Sequence, residues 1–345
     1  MVKMLEEIKE QPVVLERCIR ENAEVVKRIV EDIDKQGIQW IYIAARGTSD
    51  HASIYGKYII ESEAGIPVAL SAPSVFTLYN KTLKFKNSLV IAVSQSGKAA
   101  DALEVIRSAN KQDALTVSIT NAPDSPLAQE AKYHLYCSAG IEKSVAATKT
   151  FTSEMMLLAQ LTAELAKNST MSKNLSLVPE YVSSILENSS VIESFVPRYR
   201  FMDECFVLSR GTNFAIAMES ALKIQETTYA RAKAFAISDF QHGPIAMIDR
   251  NIPVIIYAPN GPSFVDTSAM INRLAESNIE LIVISNNESA LSKGTSSFAI
   301  PQTDDDLISP FYNAVVAQLF ACNLSLIKGL NPDSPRMLQK VTVTK

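Results

Sequence analysis

Four glycines divide the chain into two copies of one plan. Gly47 and Gly97 stand 50 residues apart, and Gly211 and Gly261 repeat that spacing 164 positions further on. Only 11 glycines occur in 345 residues, about half the usual share of ~7%. A glycine that recurs on schedule in such a chain marks a backbone position that needs it. The text around the first of each pair also repeats: Ala45-Arg46-Gly47-Thr48-Ser49 against Ser209-Arg210-Gly211-Thr212-Asn213. Downstream, Val117-Ser118-Ile119-Thr120-Asn121 resembles Val283-Ile284-Ser285-Asn286. Internal duplication is the economical explanation, and 345 residues suit two domains of ~100–200 residues each.

Each copy alternates short apolar runs with amphipathic ones. Trp40–Ala45, Ser88–Val93 and Ala114–Ile119 read as strands in the first copy; Cys205–Leu208, Pro253–Tyr257 and Glu280–Ile284 read as strands in the second. Helices are expected from Thr48 to about Ala64, near Ala99–Lys111, from Asn213 and near Asp266–Ser277. Longer ones near Val13–Lys35, Thr150–Lys167 and Leu307–Lys328 flank and join the copies. Strands that are apolar throughout and alternate with helices imply buried parallel sheets. The expected fold is therefore α/β: two tandem doubly wound domains at 36–168 and 199–330, with an N-terminal helical segment at 1–35, a helical linker at 169–198 and a C-terminal tail at 331–345.

Composition narrows the function classes. With 33 Lys+Arg against 37 Asp+Glu the net charge is −4, and no basic tract is present to neutralise phosphates, so nucleic acid is not expected as a partner. No apolar run reads as the ~20 residues that span a bilayer, and the start, Met1-Val2-Lys3-Met4-Leu5-Glu6-Glu7, lacks the basic and apolar pattern of a signal peptide. Cys18, Cys137, Cys205 and Cys322 are scattered without metal-type spacing, which suits reduced thiols and a cytoplasmic location. Three histidines, His51, His134 and His242, include no pair at ligand spacing, so no metal site is expected.

Doubly wound sheets bind ligands beyond the carboxyl ends of their strands, where helix N-termini present free N–H groups. After Ser88–Val93 comes Ser94-Gln95-Ser96-Gly97, two hydroxyls and an amide with a glycine that permits close approach. Such a loop can cradle an anion, and Lys98 adds a cation at its rim. The plainer alternative is a capped turn, because serine favours the N-cap. Thr48 and Ser49 add hydroxyls at a neighbouring strand end. The matching loop of the second copy, Ala258-Pro259-Asn260-Gly261, has none, which predicts one anion site per chain.

The second copy offers charge in an apolar helix instead. Glu219, Lys223 and Glu226 are spaced four and three residues apart and share one stripe. A solvated Glu/Lys pair is the alternative, but the faces around the stripe are apolar, and buried charge is costly unless paired or used. Beyond it lies Gln241-His242-Gly243-Pro244, a turn carrying the side chain best suited to proton transfer near neutral pH.

These pieces together resemble the double sugar-isomerase (SIS) domain family. The carriers are Gly47-Thr48-Ser49, Ser94-Gln95-Ser96-Gly97, Val145-Ala146-Ala147-Thr148-Lys149-Thr150-Phe151, Glu219…Lys223…Glu226, His242-Gly243-Pro244 and Pro335-Arg336…Lys340-Val341-Thr342-Val343. The likeness is greatest to the isomerase half of glutamine–fructose-6-phosphate aminotransferases, covers nearly the whole chain, and keeps six motifs in order. That family also carries an N-terminal glutaminase domain with a nucleophilic cysteine. None is present before Met1-Val2 here, so the chain is expected not to draw ammonia from glutamine.

The resemblance implies roles position by position. Ser94, Gln95 and Ser96, within the Gly47 and Gly97 loops and aided by Ser49 and Thr48, would hold a 6-phosphate. Glu226 would move a proton between sugar C1 and C2, with Lys223 and Glu219 in support. His242 would open the sugar ring, reaching in from the neighbouring subunit of a homodimer or higher oligomer with shared sites. Val145, Ala147 and Thr148 would meet sugar hydroxyls, and Lys340 would fold over the substrate on the tail. No cofactor is implied. Lys98 and Ala99 stand where the aminotransferases have Glu and a phosphate-binding Thr, and Ala147 where they have a Ser. The implied substrate is therefore a ketose, amino-sugar or ketosamine 6-phosphate other than plain fructose 6-phosphate, and the implied activity an isomerase, deaminase or deglycase. A phosphosugar-binding regulator without catalysis is the alternative.

Overall fold

Among the described residues, ten strands form two five-stranded sheets in which every neighbouring pair is parallel. The structure is a computed structural model that describes residues 2–303 and 305–340; Val341, Thr342 and Val343 of the terminal motif, with the two residues after them, lie outside the described residues. The first sheet contains β1 (Trp40–Ala44), β2 (Val68–Leu70), β3 (Ser88–Val93), β4 (Leu115–Thr120) and β5 (Tyr133–Tyr136) in the order β2-β1-β3-β4-β5. The second contains β6 (Glu204–Ser209), β7 (Arg231–Ala236), β8 (Val254–Ala258), β9 (Leu281–Ser285) and β10 (Ser296–Ala299) in the order β10-β9-β8-β6-β7. Read from its other edge, the second order is the first with every strand number raised by five. The duplication in the text is thus a duplication of topology.

The chain divides into two compact units. Among the described residues, 10–142, 149–179 and 339–340 make the first-sheet unit, and 2–9, 143–148 and 180–338 make the second-sheet unit. In the first-sheet unit the Gln11–Gln36 and Thr48–Ile59 helices pack on the Lys149–Leu165 helix. In the second-sheet unit the Phe214–Thr228 helix packs on Ser309–Ile327. That last helix corrects the reading of the chain's apolar runs: it is long and apolar enough to cross a membrane, but 83% of its apolar window is buried inside the protein. Its apolar residues on all faces are those of a core helix. Buried Asn313 donates to Asn213 Oδ1 at 2.7 Å, and buried Gln318 to the Thr148 carbonyl at 3.2 Å.

Strand order in each sheet reverses direction at one place, between β1 and β3 and again between β6 and β8. A crevice opens at such a switch point, and ligands of doubly wound sheets bind there. The four repeating glycines lie just past these four strands. All have positive φ: Gly47 57°, Gly97 61°, Gly211 62° and Gly261 130°. The glycine schedule therefore marks the two switch points, where the backbone must turn sharply from strand into helix. All four cysteines are buried and free; burial raises their thiol pKa values, Cys205 and Cys322 to about 12.

Candidate active site

The loop after β3 is held from both sides. Ser94 N–H donates to the Ile119 carbonyl and Asn121 N–H to the Gln95 carbonyl, each at 3.0 Å, while Gly97 N–H closes a turn onto Ser94 at 3.0 Å. The helix that follows, Ala100–Asn110, has Ala99 at its N-cap with no side-chain hydrogen bond. The capped-turn alternative thus does not describe these serines. Ser96 Oγ accepts only a long contact from Lys98 N–H, 3.4 Å, and Lys98 is exposed. In the first turn of this 11-residue helix Asp101 Oδ1 accepts from Ala102 N–H at 2.9 Å, which leaves the N–H groups ahead of it and the two loop hydroxyls as the donors of an anion cradle. Across the switch point Arg46 Nε donates to buried Asp101 Oδ2 at 2.7 Å, tying the end of β1 to the first turn of the cradle helix.

Gly97 cannot be replaced cheaply. A Cβ there would lie 2.0 Å from Ser125 Oγ and 2.4 Å from Ser125 Cβ, in addition to the cost of a left-handed conformation. Gly97→Ala should lower stability by about 1–3 kcal/mol and weaken phosphate binding together, as read by calorimetric unfolding and a phosphate titration of one preparation. A variant with parental values for both would show that the turn does not set the cradle.

Ser49 and Thr48 open the Thr48–Ile59 helix after β1. Ser49 is buried, and its hydroxyl donates to Glu154 Oε1 at 2.9 Å. Glu154, buried on the Lys149–Leu165 helix, is a partner that local sequence reasoning did not find. Lys340 has a similar hidden partner: its Nζ donates to Glu142 Oε2 at 2.7 Å, and the Glu142 side chain is fully buried. Glu142 also accepts from Thr150 N–H and Oγ1, at 3.1 and 2.8 Å.

In the second-sheet unit the Glu219–Lys223–Glu226 stripe is drawn together. Lys223 Nζ lies 3.3 Å from Glu219 Oε1 and 2.5 Å from Glu226 Oε2. The solvated-pair alternative fails on burial, since Lys223 and Glu219 are both 0% exposed. Burial pushes the Lys223 ammonium toward neutrality, and the two carboxylates more than reverse that, raising its pKa above the ordinary lysine range. Glu226 has the most exposed side chain of the three, so it is the member of the set that a substrate can reach. Immediately after this helix, the Arg336 guanidinium lies 4.0 Å over the Tyr229 ring, and Arg336 N–H donates to the Tyr229 hydroxyl at 3.0 Å.

The Lys143–Thr148 segment, with Val145, Ala147 and Thr148, is tied within the same unit. Lys143 N–H donates to Glu7, Ser144 N–H donates to Glu7 Oε2 at 3.2 Å, and Val145 N–H donates to the Asp333 carbonyl at 3.3 Å. Asp333 in turn accepts from the N–H groups of Lys3 and Met4, at 2.9 and 2.8 Å. His242 is exposed at the C-cap of the short Ile237–Gln241 helix. Among the described residues its imidazole makes no hydrogen bond and does not join the carboxylate–lysine set. No cluster of three or more His, Cys, Asp or Glu side chains is gathered for a metal among the described residues.

A doubly wound sheet written twice, with a Ser-Gln-Ser-Gly loop at one switch point and a buried carboxylate–lysine pair on the other copy's first helix, defines a class. The SIS domain model matches residues 38–164 and 202–328, and the chain belongs to the SIS domain family, with two copies. It is 35% identical over 343 residues to the glutamine–fructose-6-phosphate aminotransferase (isomerizing) of Methanothermobacter thermautotrophicus, a match that takes in 99% of this chain and 57% of that relative. The chain thus spans a little over half the length of the curated relatives it matches. Among solved structures it is similar to the C-terminal domain of glucosamine-fructose-6-phosphate aminotransferase from Francisella tularensis, with TM-score 0.87, 27% identity and coverage of 96% of this chain and 98% of that one. The glucosamine-6-phosphate deaminase of Thermotoga maritima shares the fold, with TM-score 0.77, 22% identity and coverage of 99% and 100%.

Proposed function

We propose that the protein is a phosphosugar-processing enzyme that moves a proton between C1 and C2 of a ketose, amino-sugar or ketosamine 6-phosphate, as an isomerase, deaminase or deglycase. The observation that carries the reading is the Glu219–Lys223–Glu226 set. Burying Glu219 and Lys223 beside a half-buried Glu226 on one stripe is a poor way to gain stability, yet it orients one reachable carboxylate against a fixed cation. Glu226 takes the proton from one carbon and returns it to the other. The positive charge of Lys223 stabilises the enediolate or enediolamine formed between the two transfers. Ser94, Gln95, Ser96 and the loop N–H groups hold the phosphate, with Thr48 and Lys98 at the rim. Ser49, whose hydroxyl donates to Glu154, shapes the wall beside the phosphate rather than donating to it. Val145, Ala147 and Thr148 meet sugar hydroxyls, and Lys340, docked on Glu142, closes over the sugar. No cofactor is needed for this chemistry.

Exposure of His242, whose imidazole bonds to none of the described residues, supports the further reading that it opens the sugar ring in the site of a second copy, within a homodimer. Glu226→Gln and His242→Ala proteins, each inactive alone, should then recover activity when mixed, because a mixed dimer holds one intact site. Failure to recover in samples shown by sedimentation to have exchanged subunits would place His242 outside the shared site.

The overall reading is tested by incubating the protein in deuterated water with fructose 6-phosphate, glucosamine 6-phosphate and fructosamine 6-phosphates. Deuterium at C1 or C2, with ammonia or amine released from the nitrogen-bearing substrates, is expected for one of them. Binding of these sugars without exchange or release would favour the regulator.

A further inference from the structure

The second switch point repeats the architecture of the first but differs in what occupies it. Gly211 and Gly261 correspond to Gly47 and Gly97, the Phe264–Glu276 helix corresponds to Ala100–Asn110, and Ser263 corresponds to Ala99 at the N-cap. Even the ion pair across the crevice recurs, Arg210 Nε donating to Asp266 Oδ2 at 3.0 Å as Arg46 does to Asp101. The matching serines of the loop are gone, but a hydroxyl has been placed one step further on. Ser263 is 8% exposed, its side chain does not cap the helix, and its Oγ has no hydrogen-bond partner. A buried hydroxyl without a partner forfeits its solvation for nothing, unless the position was shaped for a ligand.

A carboxylate of the chain already lies at this helix start. Ser263 N–H donates to Asp306 Oδ2 at 3.2 Å, and Asp306 is 8% exposed. Its main chain is fixed too, the carbonyl accepting from Thr212 Oγ1 at 2.5 Å and Ser309 Oγ at 3.1 Å. A negative group is stabilised at a helix N-terminus, and once there it repels any phosphate seeking the same N–H groups. We propose that the second repeat retains an anion site for phosphate or a phosphate monoester, and that Asp306 fills it from within, so that one chain takes up one external phosphate and not two.

The inference rests on the reading of the Ser94–Gly97 loop as the first phosphate site, and the test separates the two. Inorganic phosphate is titrated against the whole chain by calorimetry and by phosphorus NMR. The parent should bind one equivalent, and Asp306→Ala two. Ser263→Ala alone should change nothing, whereas in the Asp306→Ala background it should return the stoichiometry to one. Asp306→Ser serves the same purpose if the alanine variant folds poorly. An Asp306 variant with parental circular dichroism and no added equivalent would overturn the inference. A parent that binds none while Asp306→Ala binds one would remove the first reading and leave this one standing.

Discussion

Glu226→Gln is expected to keep phosphosugar binding within about twofold while turnover and C1/C2 deuterium exchange fall by on the order of 10²–10⁴, the usual contribution of a positioned general base. Glutamine matches the carboxylate in shape but has no basic oxygen at neutral pH. Lys223 keeps Glu219 at 3.3 Å, so its charge is not orphaned and the helix should stay folded. The proposed phosphate donors lie on the loops of the other sheet, so dissociation constants for unreactive phosphosugars should not move. The effect therefore falls on kcat with KM nearly constant, the signature of an interaction made chiefly in the transition state. A merely structural Glu226 would instead lower the unfolding midpoint and leave exchange per folded molecule at the parental rate, and that pair of results would end its assignment as the base.

How far the sequence could be read follows from where each group finds its partner. The six central strands, β1, β3, β4, β6, β8 and β9, are legible to within a residue because both faces are buried, and an unbroken apolar run is the signal of that environment. The four strands that escape notice, β2, β5, β7 and β10, are the edges of the two sheets. They are short or mixed, as in Arg231-Ala232-Lys233-Ala234-Phe235-Ala236, where one edge faces solvent and the composition relaxes with it. The site divides in the same way. Glu219, Lys223 and Glu226 share one helix and meet through its period alone. Glu154 and Glu142 reach Ser49 and Lys340 across 105 and 198 residues of chain, and neither local spacing nor composition encodes such a meeting. Asp306 reaches Ser263 across 43 and is hidden for the same reason.

Lys223→Met should be strongly destabilising, because it removes the cation from between two carboxylates and leaves Glu219 buried without it. Breaking a buried pair from one side costs about 3–5 kcal/mol, a large share of the ~5–15 kcal/mol that holds a typical domain together. The deficit should depend on pH with a definite sign. In the parent, Lys223 has its pKa raised, so its contribution is complete below the unfolded value of ~10.4 and is lost only as alkaline pH passes the folded one. In the variant, Glu219 stays buried while the Lys223 charge is gone, and burial disfavours the ionised form of a carboxylate. Such a group costs least below its unfolded pKa and progressively more as pH rises. Urea midpoints of parent and variant should therefore converge toward pH 4 and separate toward pH 8. Adding Glu219→Gln to Lys223→Met should recover part of the loss at pH 8, because the buried negative charge that faced Lys223 goes with it. A deficit that is flat from pH 4 to pH 8 and unchanged by the second substitution would mean that the loss comes from packing around the lysine stem, and that the buried charges are not what the helix is built around.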